Sequence, residues 1–408
     1  MGFSSLDRLQ RRDLFLRKVL IVDSMGRCIK SFDLLMLGFM LPAISLSLGL
    51  TPVEAGSLAT WALLGSVTGS LIFGSMQAGP VRMKALGGCI LMFACFGGLC
   101  ALAQGFWDLL IYRALAGFGL GGEYGIGMAL ITEALRARRL NEAPPHVGVA
   151  TRAAWGIAVV ISILLMIGMG WRGMFLVVLA VGLVLLMIRS AVMESYELPA
   201  STPVVWRFKA HLKGCVSHKS NCAVIAFTAA QYFGVSVIVV WMPSYLVNRL
   251  ECSLLASGVW AAGTLLGIAA GIRFFGLLAE RIGGAKALLV YTACGVGVAI
   301  AFANLRDPLA IMIVGGALAI FGIGLIGGCT ARVCNNYVAQ LRGTTPNVLF
   351  GLGHSVGGAG PLIVGGIIHG YSYYVAVTLF ASACLIMMGV TVYLVVKQPI
   401  SELGYGPR

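Results

Sequence analysis

Two stretches of the chain, 202 positions apart, carry nearly the same motif. The first reads Leu63-Leu64-Gly65-x-x-x-Gly69-x-x-x-Phe73-Gly74, and the second reads Leu265-Leu266-Gly267-x-x-x-Gly271-x-x-x-Phe275-Gly276. Because the chain has 408 residues, this spacing is close to half its length. A repeat of that period indicates that one ancestral unit was duplicated. The sequence therefore predicts two similar halves, each long enough to form a helical bundle.

The composition indicates that both halves are surrounded by lipid. Hydrophobic residues make up 59% of the chain and charged residues 11%, whereas a typical soluble domain has roughly 25% charged residues. A helix needs about 20 apolar residues to cross the hydrocarbon core of a bilayer. Twelve segments meet this requirement, near residues 24–46, 55–77, 85–104, 108–133, 147–170, 172–192, 221–246, 255–278, 285–304, 308–332, 347–369 and 371–396. We predict an all-α polytopic membrane protein with twelve transmembrane helices, numbered spans 1 to 12 below.

A polar stretch at residues 193–219 separates span 6 from span 7 and carries several basic side chains. We interpret it as a cytoplasmic linker between an N-terminal six-helix bundle at 1–192 and a C-terminal six-helix bundle at 220–408. Two further echoes support the duplication, since residues 114–121 return at 317–324 with an offset of 203, and Pro42 of span 1 returns as Pro243 of span 7. Parallel repeats of this kind are typical of secondary transporters, which bind their solute between the halves.

The basic residues that give the chain its net charge of +14 follow the predicted membrane topology. If the N-terminus is placed in the cytoplasm, the basic residues near 8–18, 136–139 and 207–219 all fall on the cytoplasmic side. This alternation follows the positive-inside rule and predicts that both termini are cytoplasmic. A nucleic-acid-binding protein would instead gather its basic residues on one folded face. We therefore expect membrane lipid, and no nucleic acid, around this chain.

Three motifs resemble those of the major facilitator superfamily. They are Gly276-Leu-Leu-Ala-Glu280-Arg281-Ile-Gly283 after span 8, Arg113-x-x-x-Gly117-x-Gly119-x-Gly121-Gly122-Glu123 in span 4, and Phe32-Asp33-Leu-Leu-Met-Leu-Gly38-Phe-x-x-Pro42 in span 1. The first is similar to the signature gating loop of the superfamily. The other two resemble motifs of its proton-coupled symporters for sialic acid, aromatic acids and related carboxylates. The resemblance covers nearly the whole chain and implies a monomer in a bacterial inner (plasma) membrane that carries a small organic anion together with H+.

Two positions depart from the pattern of that family. Ala78 stands in the loop after span 2 where the superfamily has an acidic residue, and the internal repeat aligns it with Glu280. Lys30 stands three residues before Asp33, where family members commonly have an acid. The first change removes a charge contact that normally holds the cytoplasmic ends together. The second reverses the sign of the charge beside Asp33.

The ionisable residues inside the spans are the candidates for proton coupling. A lone charge at the bilayer centre costs at least ~2.5–3.5 kcal/mol, so each is expected to have a partner. Asp33 lies deep in span 1, and Arg113 lies about five residues into span 4. The family resemblance implies that they form a proton-linked pair, in which protonation of Asp33 releases Arg113; a purely structural ion pair is the alternative. Glu123 is either a second protonation or gate site, or a partner of a neighbouring helix.

Six further residues are candidates for binding the solute, because they are polar, basic or aromatic and fall within predicted spans: Lys30, Arg152, Gln231, Tyr232, Trp241 and His354. Lys30 and Arg152 could attract a carboxylate or extend to the membrane interface. His354 could make a pH-sensitive contact or pack through a hydrogen bond. Gln231, Tyr232 and Trp241 are chosen from their position in span 7.

The sequence argues against an enzyme and against a cofactor. Gly117-x-Gly119-x-x-Gly122 matches a dinucleotide-binding fingerprint in letters, but that motif works only between a strand and the start of a helix. Here it lies inside an apolar span, where glycines allow two helices to pack closely. A P-loop, a catalytic triad and a metal-ligand cluster are all missing from the sequence.

Three functions fit these observations. The leading prediction is proton-coupled uptake of a small organic anion by alternating access. Proton-driven efflux of drugs or metabolites is the second, and it is disfavoured because span 5 lacks the Gly-Pro element common in drug antiporters. The third is a transporter-like sensor that binds a ligand with little flux, which Ala78 and Lys30 motivate.

Overall fold

The computed structural model describes residues 33, 35–74, 79–138, 168–188, 219–248, 251–305, 307–323 and 345–371. Every regular element in these ranges is helical. The helices are α1 (Leu35–Leu48), α2 (Pro52–Gly74), α3 (Gly79–Leu99), α4 (Phe106–Arg138), α5 (Gly168–Ile188), α6 (Lys219–Ser236), α7 (Met242–Asn248), α8 (Leu254–Ile282), α9 (Gly284–Ala303), α10 (Pro308–Leu318), α11 (Thr345–Gly357) and α12 (Gly360–Gly370). Spans 5 and 12 and the 193–219 linker lie almost wholly outside the described residues.

Five of the described helical segments are long and apolar enough to cross a membrane. They are Pro52–Phe73, Lys84–Leu102, Gly168–Ile188, Ile225–Asn248 and Gly351–Gly370. Each agrees with a predicted span to within about four residues at its ends, the usual error of boundaries read from sequence. Their outward faces carry large apolar side chains such as Trp61, Leu91 and Val184, which would be costly in water and suit a lipid surface.

The internal repeat extends to the caps that begin the helices. Thr51 and Glu54 form a reciprocal capping box at the start of α2: the Thr51 N–H donates to Glu54 Oε2 at 2.9 Å, and the Glu54 N–H donates to Thr51 Oγ1 at 3.3 Å. The residue 202 positions after Thr51 is Ser253, whose hydroxyl accepts from the Ala256 N–H at the start of α8. The same physical device thus begins span 2 and span 8.

Within each half, glycines bring two helices into backbone contact. A Cβ added at Gly65 or Gly69 of α2 would collide with the carbonyl oxygens of Ala114 and Phe118 on α4. In the second half, Gly267 lies against Gly316, and Gly271 lies against Ile320. Both contacts recur at an offset of 202, whereas the motif shared by spans 4 and 10 recurs at 203. The motif of span 10 is therefore displaced by one residue, or about 100° around the helix, relative to the packing of span 4.

Three of the predicted spans are less regular than expected. Span 7 contains a π-helical segment at Val237–Trp241 between α6 and α7, and span 10 contains another at Ala319–Ile323. Span 11 is interrupted between α11 and α12. Proline explains two of these irregularities, because Pro243 has no N–H for the carbonyl of Val239 four residues earlier, and Pro361 has none for Gly357. Periodicity cannot predict such breaks within an otherwise apolar segment.

The two halves are in contact at α1 and α2, and the contacts of Gly56 and Thr60 lie at the end of the molecule that carries the α1–α2 connection. Gly38 of α1 lies against the Val239 carbonyl in span 7, and Gly56 of α2 lies against the Pro361 carbonyl in span 11. The Leu362 N–H of α12 donates to Thr60 Oγ1 of α2 at 3.1 Å. Each contact places a backbone group of one half directly against the other, so this end of the bundle is closed.

Candidate functional site

Asp33 and Arg113 form a buried ion pair between α1 and α4. The two guanidinium nitrogens Nη1 and Nη2 donate to Oδ1 at 2.7 Å and to Oδ2 at 2.9 Å. Arg113 is 1% exposed and Asp33 is 6% exposed. A bidentate pair of this kind matches the fork of the guanidinium to both carboxylate oxygens. The two side chains that the sequence analysis singled out are therefore brought together, away from lipid.

The surroundings of the pair are largely apolar. The guanidinium carbon of Arg113 lies 5.9 Å from the ring centroid of Phe175 on α5, near the limit of a cation–π contact. Cys100 is fully buried nearby, and its thiol donates to the Phe96 carbonyl at 3.2 Å. Arg113 Nε has no hydrogen-bond partner among the described residues. In such an environment each charge of the pair depends on the other.

Glu123 is the third ionisable candidate, and it is also buried, with 3% of its surface exposed. It lies ten residues beyond Arg113 on α4, which corresponds to about 15 Å along the helix axis. The neighbouring glycines of α4 are covered, since a Cβ at Gly122 would meet Phe73 and Cys89. Glu123 therefore lies at a different depth from the Asp33–Arg113 pair.

The candidates in the second half lie in two different environments. The rings of Tyr232 on α6 and His354 on α11 are in contact, with centroids 4.0 Å apart and planes tilted by 34°, and both residues are half-buried. Gln231 is 5% exposed, and its Nε2 has no partner among the described residues. Trp241 is buried in packing, where its indole N–H donates to the Pro361 carbonyl at 3.0 Å. This contact joins span 7 to the break in span 11, and a role of Trp241 in lining a cavity stays a prediction.

Similarity to known proteins identifies the family of this chain. The sequence profile of the Major Facilitator Superfamily matches residues 24–361. The chain belongs to the major facilitator superfamily. Among curated relatives, a Haemophilus influenzae protein described as a candidate metabolite transport protein is 40% identical over 93% of this chain and 95% of its own length. A probable 4-methylmuconolactone transporter of Cupriavidus pinatubonensis is 29% identical over 83% of this chain and 81% of its own.

Solved structures agree with the major facilitator fold. The nucleoside transporter NupG superimposes with a TM-score of 0.70 at 10% identity, covering 93% of this chain and 98% of that one. A bacterial homologue of the lysosomal transporter Spinster, in an inward-facing conformation, superimposes with a TM-score of 0.67 at 16% identity, covering 94% and 95%. The predicted all-α polytopic fold is thus confirmed. The chain is a multi-pass membrane transporter of this superfamily, and the prediction that it is not an enzyme is confirmed with it.

The motif Gly276–Gly283, predicted to be the signature loop, is helical over most of its length. Gly276, Glu280 and Arg281 lie on the last turns of α8, and both charged side chains are exposed. Only Gly283 forms the turn into α9, with a φ of +86° that disfavours any residue with a Cβ. The amphipathic end of α8 explains the difference, because the helix continues past the apolar segment on which the prediction of span 8 was based.

Three residues singled out in the sequence cannot be placed, and one residue with a structural role was not predicted from it. Lys30, Arg152 and Ala78 lie outside the described residues. Thr60 was missed, although it is buried and makes the hydrogen bond that joins α2 to α12 across the two halves. A threonine in an apolar span gives no sequence signal of this kind, because its partner is a backbone N–H some 300 residues away in the chain.

Proposed function

We propose that this protein takes up a small organic anion together with a proton by alternating access. The observation that carries the proposal is the buried, bidentate Asp33–Arg113 pair. Its two members come from different helices of one half and are held by each other in a largely apolar environment. Protonation of Asp33 removes the negative charge of the pair and leaves the Arg113 guanidinium without an anionic partner. A carboxylate solute has the charge and the geometry to replace Asp33.

The names of the relatives support an organic anion as the solute. In addition to the lactone transporter, they include a sialic acid transporter of Escherichia coli, 24% identical over 91% of this chain, and a cis,cis-muconate transport protein of Acinetobacter baylyi, 25% identical over 90%. Most of these solutes carry a carboxylate. A proton taken up with a monovalent anion makes the cycle electroneutral, so a pH gradient alone can drive it.

The closed end of the molecule supports alternating access as the mechanism. The contacts between the halves at Gly56 and Thr60 lie in the first part of α2, next to the α1–α2 connection. We assign this end to the extracytoplasmic side, with both termini in the cytoplasm of a bacterial inner membrane, because the positive-inside rule predicts that the basic clusters of the sequence face the cytoplasm. In this assignment the two halves, at 1–192 and 220–408, rotate relative to each other about the level of the Asp33–Arg113 pair. The 193–219 linker joins the halves. A monomer surrounded by lipid is sufficient for this cycle.

Uptake into proteoliposomes tests the proposal. Purified protein would be reconstituted with an alkaline interior and given radiolabelled N-acetylneuraminate, benzoate or muconate, with protein-free liposomes subtracted for passive entry. For the monovalent N-acetylneuraminate and benzoate, a gradient of about one pH unit can drive about tenfold accumulation at one proton per anion. We expect a protonophore to abolish this accumulation.

Asp33→Asn tests the coupling, and its exchange of solute shows whether the destabilised variant is still folded. Asp33→Asn should lose gradient-driven accumulation while it still exchanges internal for external solute, because the neutral amide imitates a permanently protonated carboxyl. Asp307→Asn is the matched control, since Asp307 is an exposed helix cap whose replacement keeps a capping oxygen. Accumulation that ignores the pH gradient in the wild type would refute proton coupling, and the absence of any carboxylate uptake would refute the choice of solute.

A further inference from the structure

The contacting Tyr232 and His354 rings are placed where the two halves face each other. Around α11, Gly358 and Gly351 lie toward Leu63 and Leu71 of α2, whereas Gly353 and Gly357 lie against α6. At 100° per residue, His354 projects between these two directions. Its half-buried ring therefore projects between α2 and α6.

The opposite face of α11 gives an independent check on this direction. Val356 projects about 160° away from His354 around the helix, and it is 63% exposed. An apolar side chain with that exposure in a membrane protein marks the lipid-facing side. The exposed surface of His354 is consequently turned to the interior of the transporter, where a solute passes.

The ring pair and the ion pair lie at the same depth in the membrane. Gly38 of α1 and Val239 of span 7 are in contact, and both segments run toward the same end of the molecule. Asp33 precedes Gly38 by five residues, or about 7.5 Å, and Tyr232 precedes Val239 by seven residues, or about 10 Å. An anion held by the first half at this level would thus have its remaining part directed toward the two rings of the second half.

We infer that Tyr232 and His354 form an aromatic surface that selects organic anions with a planar, unsaturated ring or chain over saturated ones of the same charge. This inference rests on the proposed transport of organic anions and narrows the class of solute. A flat π-system can contact this surface through its face, whereas a puckered ring can approach with only a few hydrogens. Such a contact is expected to favour the planar acid by about 3- to 10-fold in affinity.

Benzoate and cyclohexanecarboxylate are a matched pair of probes for this selection. They have the same charge and the same number of ring carbons, and the saturated ring buries at least as much apolar surface, so burial alone would not favour benzoate. Affinities of the purified full-length protein for both acids would be measured by isothermal titration calorimetry. We expect the wild type to bind benzoate more tightly.

Variants identify the residues responsible through the ratio of the two affinities. Tyr232→Leu and His354→Leu should bring the ratio close to one, whereas Tyr232→Phe, which keeps the ring, should preserve it. Val356→Leu on the lipid-facing side of α11 is the control and should also preserve it. A variant that only damages the fold would weaken the binding of both acids equally and leave the ratio of their affinities unchanged.

The outcomes distinguish this inference from the proposed function. Equal binding of both acids by the wild type, or a preference that survives Tyr232→Leu and His354→Leu, would overturn the aromatic selection while leaving organic-anion transport intact. Failure to bind either acid, N-acetylneuraminate or muconate would overturn both.

Discussion

The effects of removing Asp33 and Arg113 on stability should be strongly non-additive, because each buried charge has the other as its partner. In Asp33→Asn, the guanidinium of Arg113 loses a charged partner that holds it at 2.7 and 2.9 Å, and the side chain is only 1% exposed, so water cannot replace that partner. The ring of Phe175 at 5.9 Å compensates little. We expect a loss of about 3–5 kcal/mol in the free energy of unfolding, the range measured when one member of a buried pair is removed.

The partner substitution Arg113→Gln should cost a similar amount, because it leaves the Asp33 carboxylate buried without a cation. In the double variant both charges are gone, and the two amides can hydrogen-bond to each other. The double variant should therefore be more stable than the sum of the single effects predicts, by a coupling energy of about 2–3 kcal/mol.

Unfolding of the purified protein in mixed micelles with increasing sodium dodecyl sulfate would provide these free energies for the four proteins of the cycle. Asp307→Asn is the control for an exposed carboxylate, and it should change the stability by no more than a few tenths of a kcal/mol. Strictly additive single effects, with no coupling energy, would refute the reasoning, since they would show that the two charges do not depend on each other in the folded protein.

Two further substitutions test the contacts between helices. Gly121→Ala should destabilise the protein by about 1–3 kcal/mol, because the added methyl group would overlap the Ser66 carbonyl on α2; thermal unfolding in detergent measures this, and Gly88→Ala, which meets no atom within 4 Å, is the control that should stay near wild type. Thr60→Val should weaken the closed end by about 1 kcal/mol, because it leaves the Leu362 N–H without its acceptor. Distances between spin labels on the two halves should then shift toward the open state, and an unchanged distribution would contradict the assignment of Thr60 to closure.

Much of the architecture could be predicted because it depends on composition and periodicity. Lipid accepts a backbone only when its hydrogen bonds are satisfied within the chain, so apolar segments of about 20 residues have to be helices. The motif repeated at 63–74 and 265–276 marks where two helices in each half approach through glycines. The cost of an isolated charge in lipid made Asp33 and Arg113 natural partners, although they are 80 positions apart.

Other features depend on contacts that no local pattern records. The local sequence around Trp241 does not show that its indole N–H donates to the Pro361 carbonyl. This hydrogen bond depends on the packing of span 7 against span 11. The motif at 114–121 returns at an offset of 203, whereas the close approach of the helices returns at 202, because packing depends on which backbone groups approach closely.

The sequence by itself determined that this chain is a duplicated helical membrane protein whose intramembrane charges, Asp33 and Arg113 among them, each need a partner, because solvation in lipid acts on each segment separately. The tertiary structure decided which face each side chain presents, which end of the bundle is closed, and that the rings of Tyr232 and His354 are in contact. These depend on the approach of helices distant in the chain, where a difference of one residue turns a side chain by 100°.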